Sequence, residues 1–214
     1  MLGLLEEALR DAHYDLRQIY RLILNSRTYQ QSCVPRSEHP DAAALFAHYS
    51  VRRVDAEVLI DALDGLLGSE EEYSSPIPEP FTYLPEHQRT VALGDGSITS
   101  PFLEMFGRPA RDTGLESERN NEPSDAQSLY LLNSSQVQRK IEDSRRLREL
   151  LRSTRRNPPA AVRTIYLHLL SRYPTMEELG AVRDYARANA LPPLQTVQDL
   201  VWALINSKEF LYRH

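Results

Sequence analysis

The chain has 214 residues, 41% of them hydrophobic, and a formal net charge of −5 at pH 7. That apolar share can fill a buried core, while the acidic balance speaks against a dedicated phosphate-binding surface, which needs a clear basic surplus. Eight glycines against fourteen prolines point to punctuated helices rather than a glycine-rich β architecture. No apolar run reaches the roughly 18 residues of a membrane-spanning helix, and no secretory leader is legible in this segment.

In chain order, Leu4, Leu5, Ala8 and Leu9 form a first short helical stripe. Asp15, with Gln18 three residues on, offers an N-cap to a helix whose apolar face is Leu16, Ile19, Tyr20 and Ile23. Asn25-Ser26 marks a stop and restart. After a loop around residues 34–40, Asp41 opens an alanine-rich helix through Phe46 and Tyr49. This continues or kinks into Val54, Val58, Leu59, Leu63 and Leu66 and ends at Gly68. Residues 69–80, rich in glutamate, serine and proline, read as a solvated connection. Thr82-Tyr83-Leu84 and Thr90-Val91-Ala92-Leu93 are β-prone pieces that fit a small hairpin, and Gly94-Asp95-Gly96 turns the chain toward Phe102, Leu103 and Phe106.

Ser124-x-x-Gln127, after Pro123, is a capping-box helix start, with Leu129, Leu131 and Leu132 on the apolar side. Val137, Ile141, Leu147, Leu150 and Leu151 fall on one further helix, closed off by Pro158-Pro159. Residues 160–170 form another helix. Thr175-x-x-Glu178 is a second capping box and starts a helix to about Ala188. Pro192-Pro193 separates it from the last helix, Val197 to Ile205, where Trp202 reads as core. The expectation is an all-α, irregular multi-helix bundle of about eight helices, with a long central loop region that has room for the hairpin. It is read as one helical domain over residues 1–214, a fragment of a larger protein. Its N-terminal helices occupy 1–68, its extended loop region 69–122 and its C-terminal helices 123–214.

One internal echo stands out. Residues 22–29 read LILNSRTY, residues 203–210 read ALINSKEF, and Leu131-Leu132-Asn133-Ser134 repeats the centre. Asparagine tolerates the left-handed conformation just past a helix end, and serine caps the next turn. The pattern is therefore a repeated helix-end device with an aromatic plug, and its unequal spacing argues against a repeat architecture.

Chemistry-bearing residues concentrate between positions 107 and 122. Arg108, Arg111, Asp112, Glu116, Glu118, Arg119, Asn120 and Asn121 lie in a stretch without helical or strand periodicity, and Gln127 stands at the next helix start. Arginines suit bidentate recognition of carboxylate, phosphate or sulfate, and Glu116 or Glu118 would be the acid–base candidates if the loop opened onto a cleft. An anionic, sulfated saccharide fits that set. The rival reading is that these opposite charges pair with one another and tie the loop onto the helices. Arg52, Arg53, Asp55 and Glu57 form a similar patch, where intramolecular pairing is the default. The basic run at residues 139–156 carries no aromatics for base stacking, so nucleic acid is not expected as a partner. No nucleophile elbow, phosphate loop or dinucleotide fingerprint is present. The six histidines are scattered and Cys33 is the only cysteine, so neither a metal site nor a catalytic set is assigned.

The blocks at residues 16–32 (LRQIYRLILNSRTYQQS), 52–63 (RRVDAEVLIDAL), 100–134, 165–179 (IYLHLLSRYPTMEEL) and 199–214 (DLVWALINSKEFLYRH) resemble, in that order, the C-terminal PSD domain of unknown function of planctomycete-type cytochrome c proteins. The resemblance runs from about His13 to His214. It implies a large extracytoplasmic protein, periplasmic or at the cell surface, in which a haem-binding cytochrome-like segment precedes this one, with sulfatases and polysaccharide-degrading systems among its company. The Cys-x-x-Cys-His haem attachment motif is missing here, so haem c is implied for the parent protein only. Relatives show Cys-x-Cys-Glu-Arg where this chain has Leu115-Glu116-Ser117-Glu118-Arg119, which removes any thiol role at those two positions. No catalytic residues come with the resemblance. It implies a noncatalytic module whose partners are other domains of its parent polypeptide, the cytochrome-like segment first among them, with polysaccharide as the alternative.

Overall fold

Short polar side chains set the helix ends of this chain. The computed structural model describes residues 2–73, 84–85, 87–94, 96, 98–108, 119–120, 122–154 and 157–213. Helix α1 (Leu2–Asp11) and helix α2 (Leu16–Leu24) are separated by His13 and Tyr14, both in the left-handed region at φ 51° and 65°. The side chain of Asp15 accepts from the Arg17 amide and caps α2. Residues 41–47, expected as a helix, form only turns. Phe46 sits at φ 54° and the Ala47 amide reaches back to the Ala42 carbonyl, so the helix stops before it can propagate. These elements belong to a first unit, Met1–Arg52. A second unit, Arg53–Arg213, holds the remaining helices.

In the second unit, α3 (Ala56–Leu67) ends at Gly68, whose φ of 71° supplies the left-handed cap. The expected strand at residues 90–93 is instead a turn of 3-10 helix, Thr90–Ala92. Its cause is Asp61, whose two carboxylate oxygens accept the Thr90 and Val91 amides at 2.8 and 3.2 Å and bend the segment against α3. Thr82 and Tyr83 of the expected hairpin, and Asp95 of the turn after it, lie outside the described residues. Helix α4 (Pro101–Met105) begins with Pro at its first position and Ser100 as cap. Both capping boxes form, Ser124/Gln127 at α5 (Asp125–Asn133) and Thr175/Glu178 at α9 (Met176–Ala188).

The helix expected across Val137 to Leu151 is broken in two at Ser144. Helices α6 (Ser135–Asp143) and α7 (Arg145–Ser153) meet there. The Ser144 hydroxyl is buried, donates to the Leu67 carbonyl at 2.7 Å and accepts the Leu147 amide at 3.1 Å, so it serves α3 and α7 at once. Helix α8 (Pro158–Leu170) starts on the proline pair, and α10 (Pro193–Ile205) leads into the short α11 (Lys208–Leu211). One two-stranded sheet, β1 (Arg52–Arg53) with β2 (Tyr212–Arg213), completes the described elements.

The core of this unit joins Leu59, Leu63 and Leu67 of α3 to Phe102 and Phe106, to Ile165 of α8 and to Val201 and Ile205 of α10. Each large aliphatic side chain buried there contributes roughly 1.5–3 kcal/mol of transfer free energy, so α3, α8 and α10 form the frame and the remaining helices pack on it. Two apolar expectations change. Leu131 is buried, but Leu129 and Leu132 face outward. Trp202 is 38% exposed, because Val201 and Ile205 take the inward face of α10. The helix-end device recurs as expected, by different chemistry. Asn25 and Asn206 both sit at φ −88°, outside the left-handed region. Each instead donates its side-chain amide to the carbonyl four residues back, Arg21 or Trp202, at 2.8 Å, while Ser26 and Ser207 accept the amides of Tyr29 and Phe210. Among the described residues no helix is long and apolar enough to cross a membrane.

Candidate functional site

The first turn of α3 places Glu57 in the interior at 6% exposure, where an unpaired carboxylate would not persist. Arg119 closes on it from the central loop region. Its Nη1 donates to Glu57 Oε2 at 2.9 Å and its Nη2 to Oε1 at 2.7 Å, a planar bidentate pair. Arg108, itself buried, brings its Nε to 3.6 Å from Glu57 Oε1. Burial alone would raise the Glu57 pKa; the Arg119 hydrogen bonds, with the charge of Arg108 behind them, outweigh it and hold the carboxyl below the ordinary carboxylate range. Charged and clamped in this way, Glu57 is a poor proton acceptor for general-base work.

A second cluster adjoins this one. The capping box of α5 turns the Gln127 side chain inward, and all its hydrogen-bonding atoms find partners. Its Oε1 accepts from the Ser124 amide at 2.8 Å and from Arg53 Nη1, and its Nε2 donates to the Met105 carbonyl at 2.8 Å. One glutamine therefore caps α5, covers the end of α4 and holds a buried arginine. The Arg53 guanidinium also lies 4.7 Å from the centre of the Phe106 ring, which stacks on Phe102 at 4.4 Å. Burial lowers the Arg53 pKa from its ordinary value, partly offset by Tyr212. The backbone runs past the cluster through Asn120, whose amide donates to the Gly107 carbonyl at 3.1 Å and whose Oδ1 accepts the Glu122 amide at 3.1 Å.

Of the residues singled out in the sequence, Arg108, Arg119 and Gln127 thus come together around α3, and Asn120 lies beside them at the surface. Arg111, Asp112, Glu116, Glu118 and Asn121 lie outside the described residues. The partner that sequence reasoning did not connect to Arg108 and Arg119 is Glu57, a position 62 residues from Arg119 along the chain. Its signal was a carboxylate on the same helical face as Ile60, Leu63 and Leu67.

In the basic run at residues 139–156, Lys140 and Arg146 reach α3, while Arg139, Arg145 and Arg152 are exposed. Lys140 Nζ meets Asp64 Oδ1 at 2.6 Å and Glu71 Oε1 at 2.7 Å with all three side chains mostly buried. Burial would lower the Lys140 pKa, but these two carboxylates raise it overall. Arg146 donates to the Gly65 carbonyl and Arg148 to the Glu142 and Asp143 carbonyls. Near the C-terminal end, Arg172 bridges Glu178 and Glu209, with Nη2–Oε1 2.7 Å and Nε–Oε1 2.6 Å, over the Tyr166 ring at 5.3 Å.

Two open clefts flank the α9–α10 pair. One, of about 650 Å³, is lined by Trp202, Tyr185, Asp199, Gln138 and Glu142 among others; the Tyr185 hydroxyl donates to Asp199 Oδ2 at 3.0 Å and Gln195 Nε2 to Oδ1 at 2.8 Å. The other, of about 720 Å³, is mostly apolar. Among the described residues, no group of three or more His, Cys, Asp or Glu side chains is placed to hold a metal ion.

Neither the curated proteins nor the solved structures contain a match to this chain. The family model PSD1, "Protein of unknown function (DUF1553)", matches residues 1–186, which takes in α3, the Glu57 cluster and most of α9. The chain belongs to the PSD1 family of proteins of unknown function.

Proposed function

We propose that the chain is a noncatalytic helical module of a larger extracytoplasmic, cytochrome-associated protein, and that it docks within its parent polypeptide or onto a partner protein. The observation that carries this reading is the inward engagement of three described polar side chains of the set singled out in the sequence, Arg108, Arg119 and Gln127. Arg108 and Arg119 hold Glu57, and Gln127 holds Arg53 and two helix ends. Charge pairs of this kind organise a fold; they leave little capacity for an incoming anion, and the clamped Glu57 has little capacity for proton transfer. A module built this way contributes surface and shape. Haem c, on this reading, resides in the cytochrome-like segment of the parent protein, and that segment is the first partner to test.

The test is calorimetric titration of the chain into the purified cytochrome-like segment of the parent protein, together with a screen for hydrolysis of sulfated and unsulfated polysaccharides. The expected result is saturable binding with no turnover. Turnover that disappears in Glu57→Gln, or the absence of binding to any parent segment, would contradict the proposal.

A further inference from the structure

Helix α9 spans Met176–Ala188, yet none of its residues is buried. Leu179 and Val182 only lean against the core, Met176 is 81% exposed, and the helix packs principally on α10. The uncovered stripe forms one wall of the apolar cleft of about 720 Å³. Val162 of α8 and Val197 of α10 line it from the other sides. From Met176 to Arg187 the stripe runs twelve residues, whose eleven steps span about 16 Å at the helical rise, the length of three helical turns.

Two further features characterise this groove. Its rim carries Arg163, Arg183 and Arg187, and among the described residues no acidic side chain lines it. Arg183 is paired with the neighbouring Asp184, while Arg163 and Arg187 make no ion pair with any described residue. At its centre lies Gly180, in mid-helix, where a β-carbon would meet nothing nearer than Arg183 Nη2 at 3.9 Å. A glycine there weakens the helix relative to alanine, and no described neighbour requires it. A partner backbone approaching closely would require it.

We infer that this α8–α9–α10 groove docks an acidic amphipathic helix, with an apolar stripe lying along Leu179, Val182 and Ala186 and with Asp or Glu side chains meeting Arg163 and Arg187. This deepens the docking function proposed above and rests on it. Charge complementarity selects the partner: a basic helix would bring its cations against three arginines, whereas an acidic one neutralises the two that pair with no described residue.

The probe is a fluorescein-labelled 14-residue helical peptide with leucines at i, i+3, i+4, i+7 and i+11 and glutamates flanking them. A second version carries lysine for every glutamate. Anisotropy with the full chain is expected to show saturable binding of the glutamate peptide, weakening with added salt, and none of the lysine peptide. The Arg163→Gln/Arg187→Gln double variant should bind about tenfold more weakly. Gly180→Leu, which fills the groove and leaves its net charge unchanged, should abolish binding while the circular dichroism spectrum stays helical. Failure of the glutamate peptide to bind, equal binding of the lysine peptide, or binding unchanged in both variants would overturn the inference. Parent segments that bind the double variant as tightly as the unaltered chain would overturn this surface alone and leave docking standing. A glutamate peptide that binds while no parent segment does would sustain the groove's chemistry and sink the docking reading.

Discussion

Replacing Arg119 by alanine removes one side of the pair that holds the interior carboxylate of α3. Arg119 donates through both terminal nitrogens, at 2.7 and 2.9 Å, to a Glu57 side chain that is 8% exposed, while its own side chain is 19% exposed. Breaking a buried pair from one side costs about 3–5 kcal/mol, because the remaining charge stays desolvated. Here the lower end applies, about 3 kcal/mol, since loss of the guanidinium lets water reach Glu57 and Arg108 stays nearby. For a unit of this size that corresponds to a fall in melting temperature of about 6–12 °C. The assay is urea unfolding followed by circular dichroism at pH 7, with Glu57→Gln and the double variant completing a cycle. The two substitutions should be non-additive by about 2 kcal/mol. A loss below about 1 kcal/mol, the scale of a surface ion pair, would show that Arg119 does not serve the fold and is available for a ligand.

Three other substitutions probe the same framework. Gln127→Ala strips Arg53 of a partner, opens the Met105 carbonyl and halves the α5 capping box, so it should cost about 2–4 kcal/mol in the same unfolding assay. Gly68→Ala places a β-carbon 2.7 Å from Arg146 Cγ at φ 71° and should cost about 1–3 kcal/mol, visible as a lower urea midpoint. Arg172 pulls the Glu178 pKa down to about 2, so the stability this carboxylate adds is fully present above its unfolded pKa and is lost as pH falls through about 2. Linkage alone would give about 3 kcal/mol, and solvent screening at this partly exposed site cuts it to about 1. The stability gap between the unaltered chain and Glu178→Gln should therefore hold at pH 7 and close toward pH 2.

The helix ends were legible in the sequence because capping is local chemistry. Ser124 with Gln127 and Thr175 with Glu178 each act within one turn, whereas Pro158, read as the stop of the preceding helix, is the first residue of α8. What escaped was decided at long range. The break at Ser144 depends on the Leu67 carbonyl, 77 residues away, and the bend at Thr90 depends on Asp61. Trp202 faces outward because Val201 and Ile205 already occupy the inward face of α10, a choice that apolarity alone could not make. In the polar cluster, the expectation of internal pairing around Arg53 and Glu57 matches the geometry. The identity of the pairing partners was out of reach, because Arg108 and Arg119 reach Glu57 only after the central loop region folds back onto α3.

A docking role without catalysis requires that Arg108 and Arg119 be committed to Glu57. The most direct measurement is the nitrogen-15 spectrum of the arginine side chains during titration with a sulfated oligosaccharide. Slowly exchanging guanidinium signals from Arg108 and Arg119 should stay in place throughout the titration, and saturable shifts of those two signals would contradict their commitment to Glu57.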